Sequence, residues 1–292
     1  MATETQHVAV VTGASSGIGK ATAKALARRG WRVIGVGRDR QRSDAAEAEI
    51  RAISSGGGVD MIRGDLAILA DVERIANEIV ALTGRIDVLI NNAGGMAKQK
   101  VITSEGYEAN FVSNHLGPFL LTKRLLPLLR QTAAVAPKGH VRILCTASDA
   151  GEMIPGLDWD DLQGLENFHP GLAYCRVKLA NVMFTRALAR RVADDGIVAH
   201  AMHPGAVDSN FFMHADEQSQ ATMLTFERAT PEEGADTLIW LATADEPGGS
   251  AGGYFHRRLP RKPHPLVDDE VSVDRLWEMS EKLVAQRRAW QS

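Results

Sequence analysis

The sequence predicts an α/β fold: a single doubly wound domain, with a mostly parallel sheet carrying helices on both faces. Three observations predict it. Short β-branched-rich apolar runs alternate with amphipathic stretches along the chain. A Gly-rich turn joins the first apolar run directly to the first helical pattern. The 292 residues, 45% of them hydrophobic, suffice for one large core.

Residues 8–11, 32–36, 59–62, 87–90, 141–146 and 198–202 read as strands buried on both faces, because their apolar runs are short and lack polar alternation. Helical periodicity fills 18–29, 41–54, 69–82, 106–131, 171–193 and 231–242. That alternation requires right-handed crossovers and a parallel sheet. Two stretches break the rhythm. Residues 152–170 form a long connection containing Gly, Pro and Asp. Residues 247–265 are rich in Gly, Pro and Arg, and an amphipathic helix follows at about 273–286. The 247–292 segment is either a surface tail or a flank and cover of a substrate cleft within one 1–292 domain, since loops at that end of such sheets often carry specificity.

A net charge of −3 gives no electrostatic case for nucleic acid or an anionic membrane. No apolar stretch reaches the length of a membrane span, and no leader pattern opens the chain, so an integral membrane protein is not expected; the cytoplasmic location expected rests on the cysteines. Cys145 and Cys175 are far from CxxC spacing and read as reduced thiols packed in the core. No His, Cys or Asp cluster has metal-ligand spacing, so no catalytic metal is expected.

The first strand runs into Thr12-Gly13-Ala14-Ser15-Ser16-Gly17-Ile18-Gly19. Glycines there let backbone approach a pyrophosphate, and the following helix N-terminus offers free N–H groups and partial positive charge. The second strand ends without a carboxylate at Gly37, and Arg38 follows. A guanidinium suits a 2′-phosphate, so NADP(H) is expected over NAD(H), with Asp39 the one carboxylate able to turn inward onto a ribose hydroxyl. Asp65-Leu66 and Asn91-Asn92-Ala93-Gly94 follow the next strands at their carboxyl ends, where adenosine would lie.

Together with Asn114, Ser148, Tyr174-x-x-x-Lys178 and Pro204-Gly205, these motifs resemble the short-chain dehydrogenase/reductase family over nearly the whole chain. The flanks 114–122, 173–181 and His203-Pro204-Gly205 are similar to its retinol-dehydrogenase-like branch, near WW-domain oxidoreductase and protochlorophyllide reductase. The resemblance implies a Rossmann-type fold and carbonyl/alcohol redox chemistry on an apolar small molecule. It also implies a backbone contact at Val207 and a hydroxyl contact at Ser209 to the nicotinamide carboxamide, and a homodimer or homotetramer built on the 106–131 and 171–193 helices. Asn114 would bind a water linking Lys178 to solvent. His203 is expected to be a packed residue. Val177 and Ala147 depart from the family's usual residues without removing a needed group, whereas Gly95 and Lys98 stand where larger apolar residues are frequent, which counts against a retinoid-like pocket.

The chemistry can be derived from the residues as well. Hydride reduction of a carbonyl leaves an alkoxide that needs a proton. A phenol is a poor acid–base near neutrality, and a neighbouring ammonium lowers its pKa. Tyr174 and Lys178, four residues apart, share one helix face. Ser148, at the end of the fifth strand, can donate to the substrate oxygen. Two other readings compete: a non-catalytic NADP(H)-binding redox sensor, and a C=C reductase. Met153, Trp159, Phe211, Phe212, Met213 and Met223 read either as an apolar pocket or as core packing.

Overall fold

A computed structural model describes residues 6–209, 211, 215, 217, 220–221 and 225–286. The first half alternates without interruption: β1 Val8–Thr12, α1 Gly17–Arg28, β2 Arg32–Gly37, α2 Arg40–Ala52, β3 Val59–Arg63, α3 Leu69–Leu82 and β4 Val88–Asn91. Then come α4 Ala109–Phe111, a π-turn Val112–Leu116, α5 Gly117–Ala133, β5 Arg142–Thr146, α6 Pro170–Arg191 and β6 Val198–Met202. The chain closes with α7 Pro231–Thr243, β7 Tyr254–His256, β8 Leu259–Pro260 and α8 Glu270–Gln286.

Among the described residues the sheet orders its strands β3-β2-β1-β4-β5-β6-β7-β8. Every pairing is parallel except the last. Strand order reverses between β1 and β4, which opens a crevice at their carboxyl ends. One face is covered by α1, α2 and α7 through Leu26, Ile50 and Leu238. The other is covered by α3, α5, α6 and α8 through Ile75, Phe119, Phe184 and Leu276. The predicted doubly wound α/β fold is therefore present, with the central strands β1, β4, β5 and β6 buried between two apolar layers and the edge strands β3 and β8 partly or wholly exposed.

Two expectations need correction. The helix predicted over 106–131 starts at Ala109 and is interrupted by the π-turn that carries Asn114. One added residue per turn is invisible to a 3.6-residue periodicity, and such bulges concentrate at functional sites. The 247–265 stretch is not a surface tail: it supplies the last two strands. Those strands have three and two residues, too short for an alternation signal. Their hairpin turns on Arg257 and Arg258, both with positive φ (49° and 62°), where Asn or Gly is the usual choice. Short length and Pro260 blunt the sheet edge.

The terminal helix packs on α6. Trp277 stacks against Phe184 and meets Phe119 edge-on, while Arg191 lies 4.3 Å over its ring. Glu281 accepts from Lys123 of α5 at 2.6 Å. Helix α8 thus lies over α5 and α6, the helices expected to join copies of the chain.

Candidate active site

A cavity of about 1080 Å³ opens at the carboxyl ends of β1, β2, β4, β5 and β6. It is lined by every residue expected to hold a cofactor except Gly19, which lies behind the turn. Thr12 anchors the turn. Its hydroxyl donates to the Ile90 carbonyl and accepts from the Asn92 and Ala93 N–H groups at 2.9 and 3.0 Å, tying β1 to β4. Gly13 and Gly17 have φ of +70° and +53°. A Cβ at Gly13 would stand 3.0 Å from the Ala93 backbone, and one at Gly19 would run into the Gly13 carbonyl. Ser16 begins α1 without a side-chain cap, leaving the first-turn N–H groups for an anion.

At the adenosine end, Asp39 lines the cavity, but its side chain is engaged by its own helix. Its carboxylate accepts from the Arg42 N–H at 2.8 Å and caps α2, and that bond holds its pKa below the usual range. Arg38 is 64% exposed, pairs loosely with Asp65 at 3.7 Å, and lines the cavity. Arg42, one turn into α2, lines the same pocket. It escaped the sequence reading because it sits in an Arg-rich helix start that looks like a solvated face.

At the other end stand the groups expected to react. Ser148 ends β5's extension and lines the cavity with Tyr174, whose phenol it draws down in pKa. Its hydroxyl also accepts from the Ala150 N–H at 3.2 Å, so it caps the following turn as well. Lys178 is buried, 5.6 Å from the Tyr174 ring centre, and donates to the Thr146 carbonyl at 3.1 Å. Burial pulls Lys178 down to about 8 and pushes the Tyr174 phenol above its usual range. The expected lowering of Tyr174 by Lys178 is not found: burial raises the phenol, and the group that opposes it is Ser148. Asn114 is buried in the π-turn. Its amide accepts from the Gly95 N–H at 3.2 Å and donates to the Gly95 carbonyl at 3.1 Å. Its main-chain carbonyl receives the Asn181 amide at 2.8 Å. A Cβ at Gly94 would collide with the Asn114 side chain.

The Pro204–Gly205 loop closes the floor. Gly205 has a φ of +83° and lies against His256 of β7. Val207 bridges Ala229, and Ser209 comes within 3.4 Å of where a Gly17 Cβ would stand.

A short chain dehydrogenase family profile matches residues 7–158. Human retinol dehydrogenase 13 is 36% identical over 94% of this chain and 83% of its own. Mouse retinol dehydrogenase 14 is also 36% identical, over 94% and 85%. The chain belongs to the short-chain dehydrogenase family. Within it the chain is retinol-dehydrogenase-like, an oxidoreductase by descent. A crystal structure of an uncharacterised protein from Mycobacterium paratuberculosis superposes with a TM-score of 0.74 at 32% identity, over 96% of this chain and 94% of the other. The NADP active-site complex of Pseudomonas aeruginosa RhlG superposes at 0.68 with 27% identity, over 85% and 93%.

This short-chain dehydrogenase departs from the sequence reading at its substrate end. Met153 and Phe211 line the cavity, and Phe211 packs edge-on to Tyr174 at 5.2 Å. Trp159 does not line it: the ring packs against the core under Arg275, 4.7 Å away. Phe212, Met213 and Met223 lie outside the described residues. Phe226 adds an apolar wall that the sequence reading missed. His203 is buried as expected, yet it also lines the cavity and pairs with Asp149 at 3.3 Å. Burial lowers His203 to about 4, so it is neutral at pH 7. Both cysteines are free thiols; Cys145 is buried and raised to about 11, whereas Cys175 reaches the cavity wall. Among the described residues no acidic, His or Cys group could hold a metal, and no helix is long and apolar enough to cross a membrane.

Proposed function

We propose that this chain is an NADP(H)-dependent oxidoreductase interconverting an alcohol and its aldehyde or ketone on a largely apolar body. The observation that carries the reading is the convergence of Ser148, Tyr174 and Lys178 on one cavity with the glycine turn. The fit to a dinucleotide rests on this chain's own surface. A turn with no room for a Cβ at Gly13 or Gly19, an uncapped α1 N-terminus, and Arg38 and Arg42 lining the pocket near the tip of β2 suit a pyrophosphate and a 2′-phosphate. Bound there, the cofactor would exchange a hydride with the substrate carbon.

The chain's side chains handle the proton. Ser148 holds the substrate oxygen. Tyr174 gives its phenolic proton to that oxygen in reduction and takes it back in oxidation. A buried Lys178 ammonium, charged at neutral pH, stabilises the phenolate formed. Asn114, fixed by Gly95 and the π-turn, holds the backbone around the proton's route to solvent. The 247–292 segment flanks the substrate end through His256 and Arg261. A cytoplasmic location completes the reading, and fractionation to a membrane pellet would overturn that part. A homodimer or homotetramer must use faces other than the one under α8, which sedimentation of a variant truncated before α8 would reveal as a gain in mass.

The test is NADPH and NADH oxidation with a panel of apolar aldehydes, ketones and enones. Turnover of a carbonyl with at least about tenfold preference for NADPH is expected. Tight cofactor binding with no turnover of any member would leave the sensor reading, and turnover of enones alone would leave the C=C reductase.

A further inference from the structure

The wall beyond Ser148 is polar, which an apolar pocket does not need. Asp149 follows Ser148 directly, and the serine hydroxyl donates to its carboxylate at 3.4 Å. The other carboxylate oxygen faces His203 at 3.3 Å. Three residues on, Glu152 grips Arg261 in a bidentate pair, 2.8 Å at both contacts. Asp149, Glu152, His203 and Arg261 all line the cavity that holds Tyr174.

The hydrogen-bond inventory of this wall is incomplete. Glu152 takes Nε and Nη2 of Arg261, which leaves the Nη1 hydrogens for another acceptor. Once Ser148 turns its hydroxyl to a substrate carbonyl, the half-exposed Asp149 carboxylate is open to a donor on the substrate. His203 is neutral, so two carboxylates face one guanidinium and the wall carries a net negative charge. An anionic substituent is therefore repelled, while a neutral group that both donates and accepts fits. Because Asp149 adjoins Ser148, that group must sit beside the reacting carbon.

We infer that Asp149 and Arg261 form a subsite for a hydroxyl on the carbon next to the carbonyl, so that the substrate pair is an α-hydroxycarbonyl compound and its vicinal diol. This rests on the redox reading above and narrows its substrate. Hydride from the cofactor and a proton from Tyr174 convert the carbonyl to the second hydroxyl; the first is untouched. Met153, Phe211 and Phe226 accommodate the apolar remainder.

The test compares benzoin, deoxybenzoin and phenylglyoxylate by kcat/KM with NADPH, and by calorimetric affinity for the protein saturated with NADP. Benzoin should exceed deoxybenzoin by at least about tenfold in either readout, and phenylglyoxylate should be poorest. Asp149→Ala and Arg261→Met should each cut the benzoin-to-deoxybenzoin ratio about tenfold, while Asp149→Asn should relieve the penalty on phenylglyoxylate. Being a ratio within one protein, the readout is insensitive to partial loss of folding, and half-exposed Asp149 carries the test if Arg261→Met does not fold. Equal treatment of the two ketones, or a ratio unchanged in both variants, overturns the subsite. Binding preference without turnover overturns the redox reading and leaves the subsite standing.

Discussion

The two ends of the cleft are made of different material. The cofactor end is backbone: Gly13 and Gly17 in left-handed φ, an uncapped helix terminus and strand tips held by Thr12. The substrate end is side chain: Tyr174, Lys178 and Asp149, with Glu152 and Arg261 meeting across more than a hundred residues of sequence. Backbone sites tolerate few substitutions because there is no room for a Cβ. Side-chain sites can be rewritten one residue at a time, so specificity can diverge while the cofactor end stays intact.

The sharpest way to separate the ends is Tyr174→Phe. Turnover should fall about a thousandfold while cofactor affinity, read by fluorescence titration, stays within about twofold. Parallel losses in both would erase the division of labour. Next in size is Lys178. Its folded pKa of about 8 lies below its free value of 10.5, so the folded chain prefers it neutral. The protein without added cofactor should therefore gain stability as pH climbs from about 8 toward 10.5, by up to about 3 kcal/mol. Carbonyl reduction should decline in the same window. Melting curves against pH for the wild type and Lys178→Met read the first sign, and a flat difference between them would contradict it.

A smaller effect tests the backbone end. Gly19→Ala should weaken cofactor binding by roughly tenfold to a hundredfold, from about 1–3 kcal/mol of overpacking against the Gly13 carbonyl, with kcat at saturation little changed. Arg38→Ala should cost NADPH about tenfold relative to NADH, and Arg42→Ala somewhat less; an unaltered ratio in the double variant would return the choice of cofactor to Asp65. The smallest concerns structure alone. Replacing Glu152 by Gln should lower stability by less than about 1 kcal/mol, since the pair is one-third exposed. A larger drop on chemical denaturation would make that pair a clamp on the fold.

Legibility followed the same division. Thr12–Gly19, Asn91–Gly94 and the Tyr174/Lys178 spacing are local in sequence, and each could be read from its own segment. Arg42 was missed because one more arginine at a helix start is unremarkable until Asp39 is seen capping that helix. Arg261 and Phe226 gave no local signal; their place depends on which strand edge the chain returns to. Trp159 misled because a large apolar residue near a site segment can face the core as easily as the cleft.

By itself the sequence determined the doubly wound fold, the order of the elements through β6, the glycine turn after β1, and the Ser148, Tyr174 and Lys178 set that the cavity brings together. All rest on short-range patterns of burial, chirality and helix spacing. Only the tertiary structure decided that 254–260 completes the sheet, that Asn114 sits on a π-turn locked to Gly95, and that Asp149 and Arg261 wall one cavity. Those depend on contacts between distant segments, whose geometry comes from how the whole core packs and leaves no periodic trace in the chain.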